Sequence, residues 1–137
     1  MNKINYLELI KTADVYSVAE VSPLDYAKLI SANLNNKIFL KREDLQTTFS
    51  FKIRGAVNKI KNLDEKALKN GVICSSAGNH AQGVALASKL NKNRAVIVMP
   101  QTTPSIKIEA VKALGAEIIL HGDNYDEAFS KAKEIEQ

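Results

Sequence analysis

Two short segments carry residue types whose order and spacing suit covalent and anion-binding chemistry. The first is Ser50-Phe51-Lys52-Ile53-Arg54-Gly55. Lys52 falls in the first turn of a predicted helix, between Phe51 and Ile53. The positive end of a helix dipole and apolar neighbours both favour the neutral, nucleophilic form of an amine. That form condenses with a carbonyl to give a Schiff base. The same residue also reads as an ordinary solvated lysine, since sixteen of the 137 residues are lysine. The second segment is Ser75-Ser76-Ala77-Gly78-Asn79-His80-Ala81-Gln82-Gly83, where a predicted strand ends and a helix begins. Ligands of open parallel sheets bind at that carboxyl edge. Small residues there let a ligand approach the backbone, and N–H groups at a helix start suit a carboxylate or phosphate. A tight turn with Asn79 as its cap would use the same residues. Gly78 and Gly83 have the glycine spacing of a P-loop, but Val84 stands where that motif requires lysine. No Gly-x-Gly-x-x-Gly occurs, which leaves a dinucleotide fold of that type without support.

The other reactive residue types are sparse. His80 is placed to act as a base or to play a structural part at the helix start; His121, followed by Gly122, reads as a surface residue. Cys74 lies inside an apolar run and reads as inert core. A single cysteine forms no internal disulfide, and two distant histidines make no metal site, so no metal is expected. Arg42 and Arg54 read as ion-pair partners. The net charge of +4 resides wholly in residues 1–70, which hold 12 basic and 8 acidic residues against 7 of each in the remainder. No basic run exceeds Lys41-Arg42 and no aromatics interleave with it, so a site for an anionic small molecule is expected rather than nucleic acid.

These groups need a scaffold. Hydrophobic residues are 45% and charged residues 25%, values of a globular chain, and the length suits one domain of ordinary size. The longest apolar run, Ala95 to Met99, is five residues, too short to cross a membrane, and Glu8 interrupts any signal-peptide core. A cytoplasmic chain without a membrane partner is expected. Strands are predicted at Val72-Ile73-Cys74, Ala95 to Met99 and Ile118-Ile119-Leu120. Helices are predicted over Ala81 to Leu90, after a Thr103 cap with stripe Ile106, Ala110, Ala113 and Leu114, and after an Asp123 cap with Tyr125, Ala128, Phe129, Ala132 and Ile135 on one side. This β-α-β-α-β-α order implies an α/β fold with a parallel sheet and helices on both faces. The first half is less regular: a partly helical stretch from Asn5 to Ala19, a break at Ser22-Pro23-Leu24, and a strand at Ile38-Phe39-Leu40. Ser50 is then expected to cap a helix with stripe Ile53, Ala56, Val57, Ile60 and Leu63. The chain stops within the last helix, so it is expected to be truncated, the front of a longer protein.

Taken together, Lys41-Arg42-Glu43-Asp44, Ser50 to Ala56 and Ser76 to Gly83 resemble the biosynthetic threonine dehydratases of the serine/threonine dehydratase family. Val15-Tyr16, Ser22-Pro23-Leu24, Val98-Met99-Pro100 and Lys107 fit the same pattern, so the resemblance runs over nearly the whole chain, in order. It implies a tryptophan-synthase-β-like (fold type II) enzyme dependent on pyridoxal 5′-phosphate. By position, Lys52 would carry the cofactor as a Schiff base and later take the substrate α-proton. Phe51 would pack on the cofactor ring and Asn79 would bond its 3′-oxygen. Ser76, Ala77, Gly78, Asn79 and His80 would form the loop for the substrate carboxylate. The resemblance further implies deamination of L-threonine to 2-oxobutanoate and ammonia, in isoleucine formation, by an enzyme that is a homo-oligomer at full length. His80-Ala81 after the Asn favours a dehydratase over the related enzymes of cysteine formation, which have Thr-Gly there. Residues 1–63 would open the large cofactor domain and 64–137 would form most of a small inserted domain.

The chain also departs from that pattern. The family cradles the cofactor phosphate in a glycine-rich loop, and no Gly-rich run occurs here. The anchor and the carboxylate loop are present without the cradle, so the chain alone is expected to bind cofactor weakly and to be inactive. A non-catalytic remnant of such an enzyme, or a serine dehydratase or racemase-like member of the family, are the alternative readings.

Overall fold

The computed structural model describes residues 4–137; residues 1–3, the head of the expected first domain, lie outside the described residues. The N-terminal part holds α1 (Tyr6–Thr12), β1 (Leu24–Tyr26), α2 (Lys28–Asn33) and β2 (Phe39–Lys41), with β1 and β2 antiparallel. A single 3-10 turn at Glu43–Leu45 leads to α3 (Lys52–Lys61) and the short α4 (Glu65–Leu68). Then β3 (Val72–Ser75), α5 (Asn79–Leu90), β4 (Ala95–Met99), α6 (Ser105–Ala113), β5 (Glu117–Leu120) and α7 (Tyr125–Glu136) alternate as expected.

The strands β3, β4 and β5 lie side by side in that order, all parallel. β4 is central and buried along its whole length, which is why it reads as an uninterrupted β-branched and apolar run. Its alternate residues face opposite layers. Ala95, Ile97 and Met99 join a core with α3, α5 and Val111 of α6, while Val98 packs with Ala128 and Ala132 of α7. Helices therefore cover both faces of the sheet. At the entry to β3, Gly71 adopts φ +88°, where a Cβ would stand 2.5 Å from the Arg94 carbonyl oxygen, so the turn into the sheet requires glycine.

Several local expectations are corrected. Thr103 does not cap α6: the cap position belongs to Pro104, and the buried Thr103 hydroxyl has no hydrogen-bond partner among the described residues. The cap of α7 is Asn124, not Asp123; its side chain accepts from the Glu127 N–H while the Glu127 carboxylate reaches back to the Asp123 N–H. That reciprocal pairing satisfies two free donors of the helix end. The stripe expected on α6 is met only in part: Leu114 packs half-buried against the core, but Ile106 is 79% exposed and Val111 is the fully buried residue. On α7 only Ala128 and Ala132 are buried; Tyr125 and Phe129 stack on each other at the surface. The helix ends at Thr12, well before the break expected at Ser22-Pro23-Leu24, and Leu24 opens β1.

Candidate active site

The site is assembled from three places: the approach to α3, the first turn of α3, and the loop between β3 and α5. The cap position of α3 belongs to Phe51 rather than the expected Ser50, although the Ser50 hydroxyl accepts from the Lys52 N–H at 3.2 Å just ahead of the helix. One residue earlier, Phe49 takes a left-handed conformation (φ 52°), strained for a bulky residue. Its N–H donates to the Gln46 carbonyl at 2.7 Å, closing the turn that aims the chain into α3.

A polar network fixes this approach. Arg54 grips Glu43 with two parallel bonds, Nε to Oε2 at 2.8 Å and a second guanidinium N–H to Oε1 at 2.9 Å. The Ser22 hydroxyl donates to the same carboxylate at 2.5 Å. Buried Gln46 pairs with the backbone of Glu20 in both directions, each bond 2.8 Å. The Arg54 hydrogen bonds, opposed by burial and helped by Ser22, pull the Glu43 carboxyl down to about 2. The expectation that Arg42 and Arg54 serve in ion pairs holds: Arg42 binds Asp25 and Asp44, and Arg54 binds Glu43. Lys41-Arg42-Glu43-Asp44 is thus a clamp on the strand-to-helix connection, and Arg54, the partner of Glu43, stands two residues beyond the candidate lysine.

Lys52 is the first residue of α3. Of its apolar neighbours, Ile53 turns into the core and Phe51 lies at the surface, 59% exposed, with the Lys52 amine 5.0 Å from its ring centroid. The expected apolar surroundings of the amine are therefore a single exposed ring face rather than a pocket.

The opposite wall is the start of α5. Gly78 holds the cap position and no side chain caps this end, so first-turn N–H groups remain for an outside acceptor. Within the loop, the Ser76 hydroxyl accepts from the Gly78 N–H at 3.3 Å. Asn79 is the first helical residue, exposed, not the cap. His80 is exposed as well; partial burial and the neighbouring Lys52 charge both lower its pKa, keeping it neutral near pH 7. The two walls meet in the core beneath the loop, where Gly83 of α5 touches the backbone of Lys52. Cys74, half-buried in β3, has its thiol pushed up to about 11 by burial, which removes it as a nucleophile.

A cavity of about 680 Å3 opens along the free edge of β3, lined by residues such as Gly55, Cys74, His80 and Gln137. Lys52, Phe51 and Asn79 do not line it. Among the described residues no group of histidines, cysteines and carboxylates is arranged to hold a metal ion, and no helix is long and apolar enough to cross a membrane.

The donors present suit an aldehyde-bearing anionic cofactor. They comprise an exposed amine beside an aromatic face, an uncapped helix start, and Gly78 with open space where a Cβ would be. The Ser75 hydroxyl, at the end of β3 just before the loop, is buried with no hydrogen-bond partner among the described residues. Sequence reasoning picked out Lys52, Phe51 and the Ser76 to His80 loop, but not the Glu43–Arg54 clamp or the role of Gly83. For the clamp, the signal was the Glu43 and Arg54 flanking Lys52; for Gly83, a glycine inside a helical run.

The family profile described as "Pyridoxal-phosphate dependent enzyme" matches residues 17–137. The chain is 52% identical over 130 residues to the L-threonine dehydratase biosynthetic IlvA of Pasteurella multocida, covering 95% of this chain and 25% of that protein. Its fold superposes on the processed threonine deaminase isoform 2 of Solanum lycopersicum with a TM-score of 0.90 at 52% identity, over 95% of this chain and 36% of the other. Maize serine racemase matches with a TM-score of 0.88 at 34% identity, over 97% of this chain and 40% of the other. The chain thus shares the type II α/β fold of these enzymes and spans about a quarter of the length of the curated relative.

Proposed function

The chain belongs to the pyridoxal-phosphate dependent enzymes, and from that premise we propose that it forms the Lys52-bearing part of a threonine dehydratase. The proposed reaction converts L-threonine to 2-oxobutanoate and ammonia; the water expelled from the β-carbon is returned when the enamine product hydrolyses. The observation that carries this reading is the meeting of two walls: an exposed lysine at the start of α3 against an uncapped, glycine-lined start of α5.

When bound, pyridoxal phosphate supplies an electron sink for the carbon that loses its proton. Lys52 provides the amine that anchors the cofactor, and once free it is the base that takes the substrate α-proton. Phe51 offers its ring face and Asn79 an amide donor for the cofactor oxygen. The loop Ser76, Ala77, Gly78, Asn79 and His80 holds the carboxylate with N–H groups that no side chain has claimed. A neutral His80 fits this role, because the anion is then held by N–H dipoles rather than by a titrating cation.

The same proposal divides the chain into residues 1–63, opening the large cofactor domain, and residues 64–137, most of the small one. It places the full-length enzyme in isoleucine formation, as a cytoplasmic homo-oligomer; the lone thiol of Cys74 is compatible with a reducing compartment. One second reading has support: the likeness to maize serine racemase favours an enzyme acting on serine. Turnover by the full-length protein separates the readings. Release of 2-oxobutanoate from L-threonine is the expected result. Inversion of L-serine without 2-oxobutanoate would favour the racemase reading, and no turnover with either amino acid would favour a non-catalytic remnant.

A further inference from the structure

We infer that Gly83 is a positioning residue for Lys52, setting how far the amine stands from the loop at the start of α5. The inference rests on the cofactor reading for its functional meaning and on packing for its substance. A Cβ at Gly83 would lie 3.2 Å from both the carbonyl carbon and oxygen of Lys52 and 3.4 Å from the Ile53 nitrogen. All three atoms are backbone, so no side chain can swing aside. The contrast within the same site is sharp, because a Cβ at Gly55 or Gly78 would meet nothing within 4 Å. Gly83 sits inside a twelve-residue helix, where glycine is less favourable than alanine. The close approach to Lys52 is what offsets that cost.

The geometry explains why the contact sets a catalytic distance. Gly83 lies one turn after Asn79 on α5, and Lys52 is the first residue of α3. Ala81 and Val84 of α5 share a core with Ile53 and Val57 of α3, so the helices cannot separate freely. A methyl group inserted at 83 must push the first turn of α3 away from the first turn of α5, and Lys52 moves with it. The shift is a few tenths of an ångström for alanine and more for valine.

The test uses the full-length protein and its capture of pyridoxal phosphate at Lys52, read after borohydride reduction over a range of cofactor concentrations. Since a misplacement near 1 Å can cost about a hundredfold, Gly83→Ala is expected to weaken capture by about three- to tenfold and Gly83→Val by about a hundredfold. Ala85→Gly, at a buried position of the same helix, lowers helix stability and adds no atom against the Lys52 backbone. It should lower the thermal midpoint and leave capture unchanged. Equal capture by Gly83→Ala and wild type would overturn the inference, as would a loss in Ala85→Gly that matches its loss of stability. The backbone amide NMR signals of Lys52 and Ile53 give a readout without cofactor: they should shift in Gly83→Ala. If the wild type does not label at Lys52, the cofactor reading fails; if those two amide signals stay in place, the positioning claim fails by itself.

Discussion

Lys52→Ala in the full-length protein is expected to lower 2-oxobutanoate release from L-threonine by at least about 10²–10⁴-fold, the usual contribution of a positioned proton-transfer group. Loss of the covalent anchor adds to that. Stability should barely change. The Lys52 side chain is exposed and makes no ion pair among the described residues, its amine lying over the exposed Phe51 ring. Surface substitutions of that kind stay within about 0.5 kcal/mol. The prediction therefore pairs a large kinetic loss with an unchanged denaturation midpoint, and stopped-substrate assays alongside urea titrations measure both. A variant that unfolds, or one that keeps most of its turnover, would remove Lys52 from the proposed role.

Glu43→Ala is expected to have the opposite profile, a large loss of stability. It removes the two bonds that tie the Arg54 guanidinium to Glu43 and leaves its bond to the Glu20 carbonyl, on a side chain 22% exposed. Breaking a buried pair from one side costs about 3–5 kcal/mol; partial exposure reduces that to about 2–3 kcal/mol here. Titration gives a second measure. The Glu43 carboxyl falls from its ordinary 4.5 to about 2 in the folded chain, equivalent to about 3 kcal/mol before screening. Because the folded value is the lower one, this stabilisation is complete above the unfolded value and drains away as pH falls from about 4.5 towards 2. Urea midpoints measured down that range should drop more steeply in wild type than in Glu43→Ala. Parallel curves would show that the clamp adds little. Since Arg54 lies two residues beyond Lys52, the variant should also loosen the start of α3 and weaken cofactor capture there.

These two residues show what the sequence makes legible. Lys52 stands out locally, by residue type and helix position, and the strand β4 stands out because a five-residue apolar run closed by Pro100 has few other uses. Of the expected α3 stripe, Ile53, Ala56, Val57 and Ile60 are buried as their spacing implies, whereas Leu63 falls beyond the helix end and is half-buried. Pairings across distance are not legible in that way. Glu43 meets Arg54 across eleven residues and Gly83 meets Lys52 across thirty-one, and only the fold brings them together. The caps erred for a local reason: Asp123 and Asn124 are both cap-type residues, and the Glu127 carboxylate decides between them. Residue type also misled at α6, where helical spacing alone did not say which face the sheet would cover and Val111, not Ile106, is buried. At Lys52 itself, residue type foretold apolar neighbours but not that Ile53 would turn inward, leaving only Phe51 beside the amine.

The central claim is that one lysine of sixteen is the cofactor's anchor. Borohydride reduction of the full-length protein after incubation with pyridoxal phosphate, followed by peptide mapping, addresses it directly. The account predicts a single dominant labelled peptide containing Lys52, absent in Lys52→Ala. Label spread evenly over many lysines, or a labelling pattern that Lys52→Ala leaves unchanged, would contradict it.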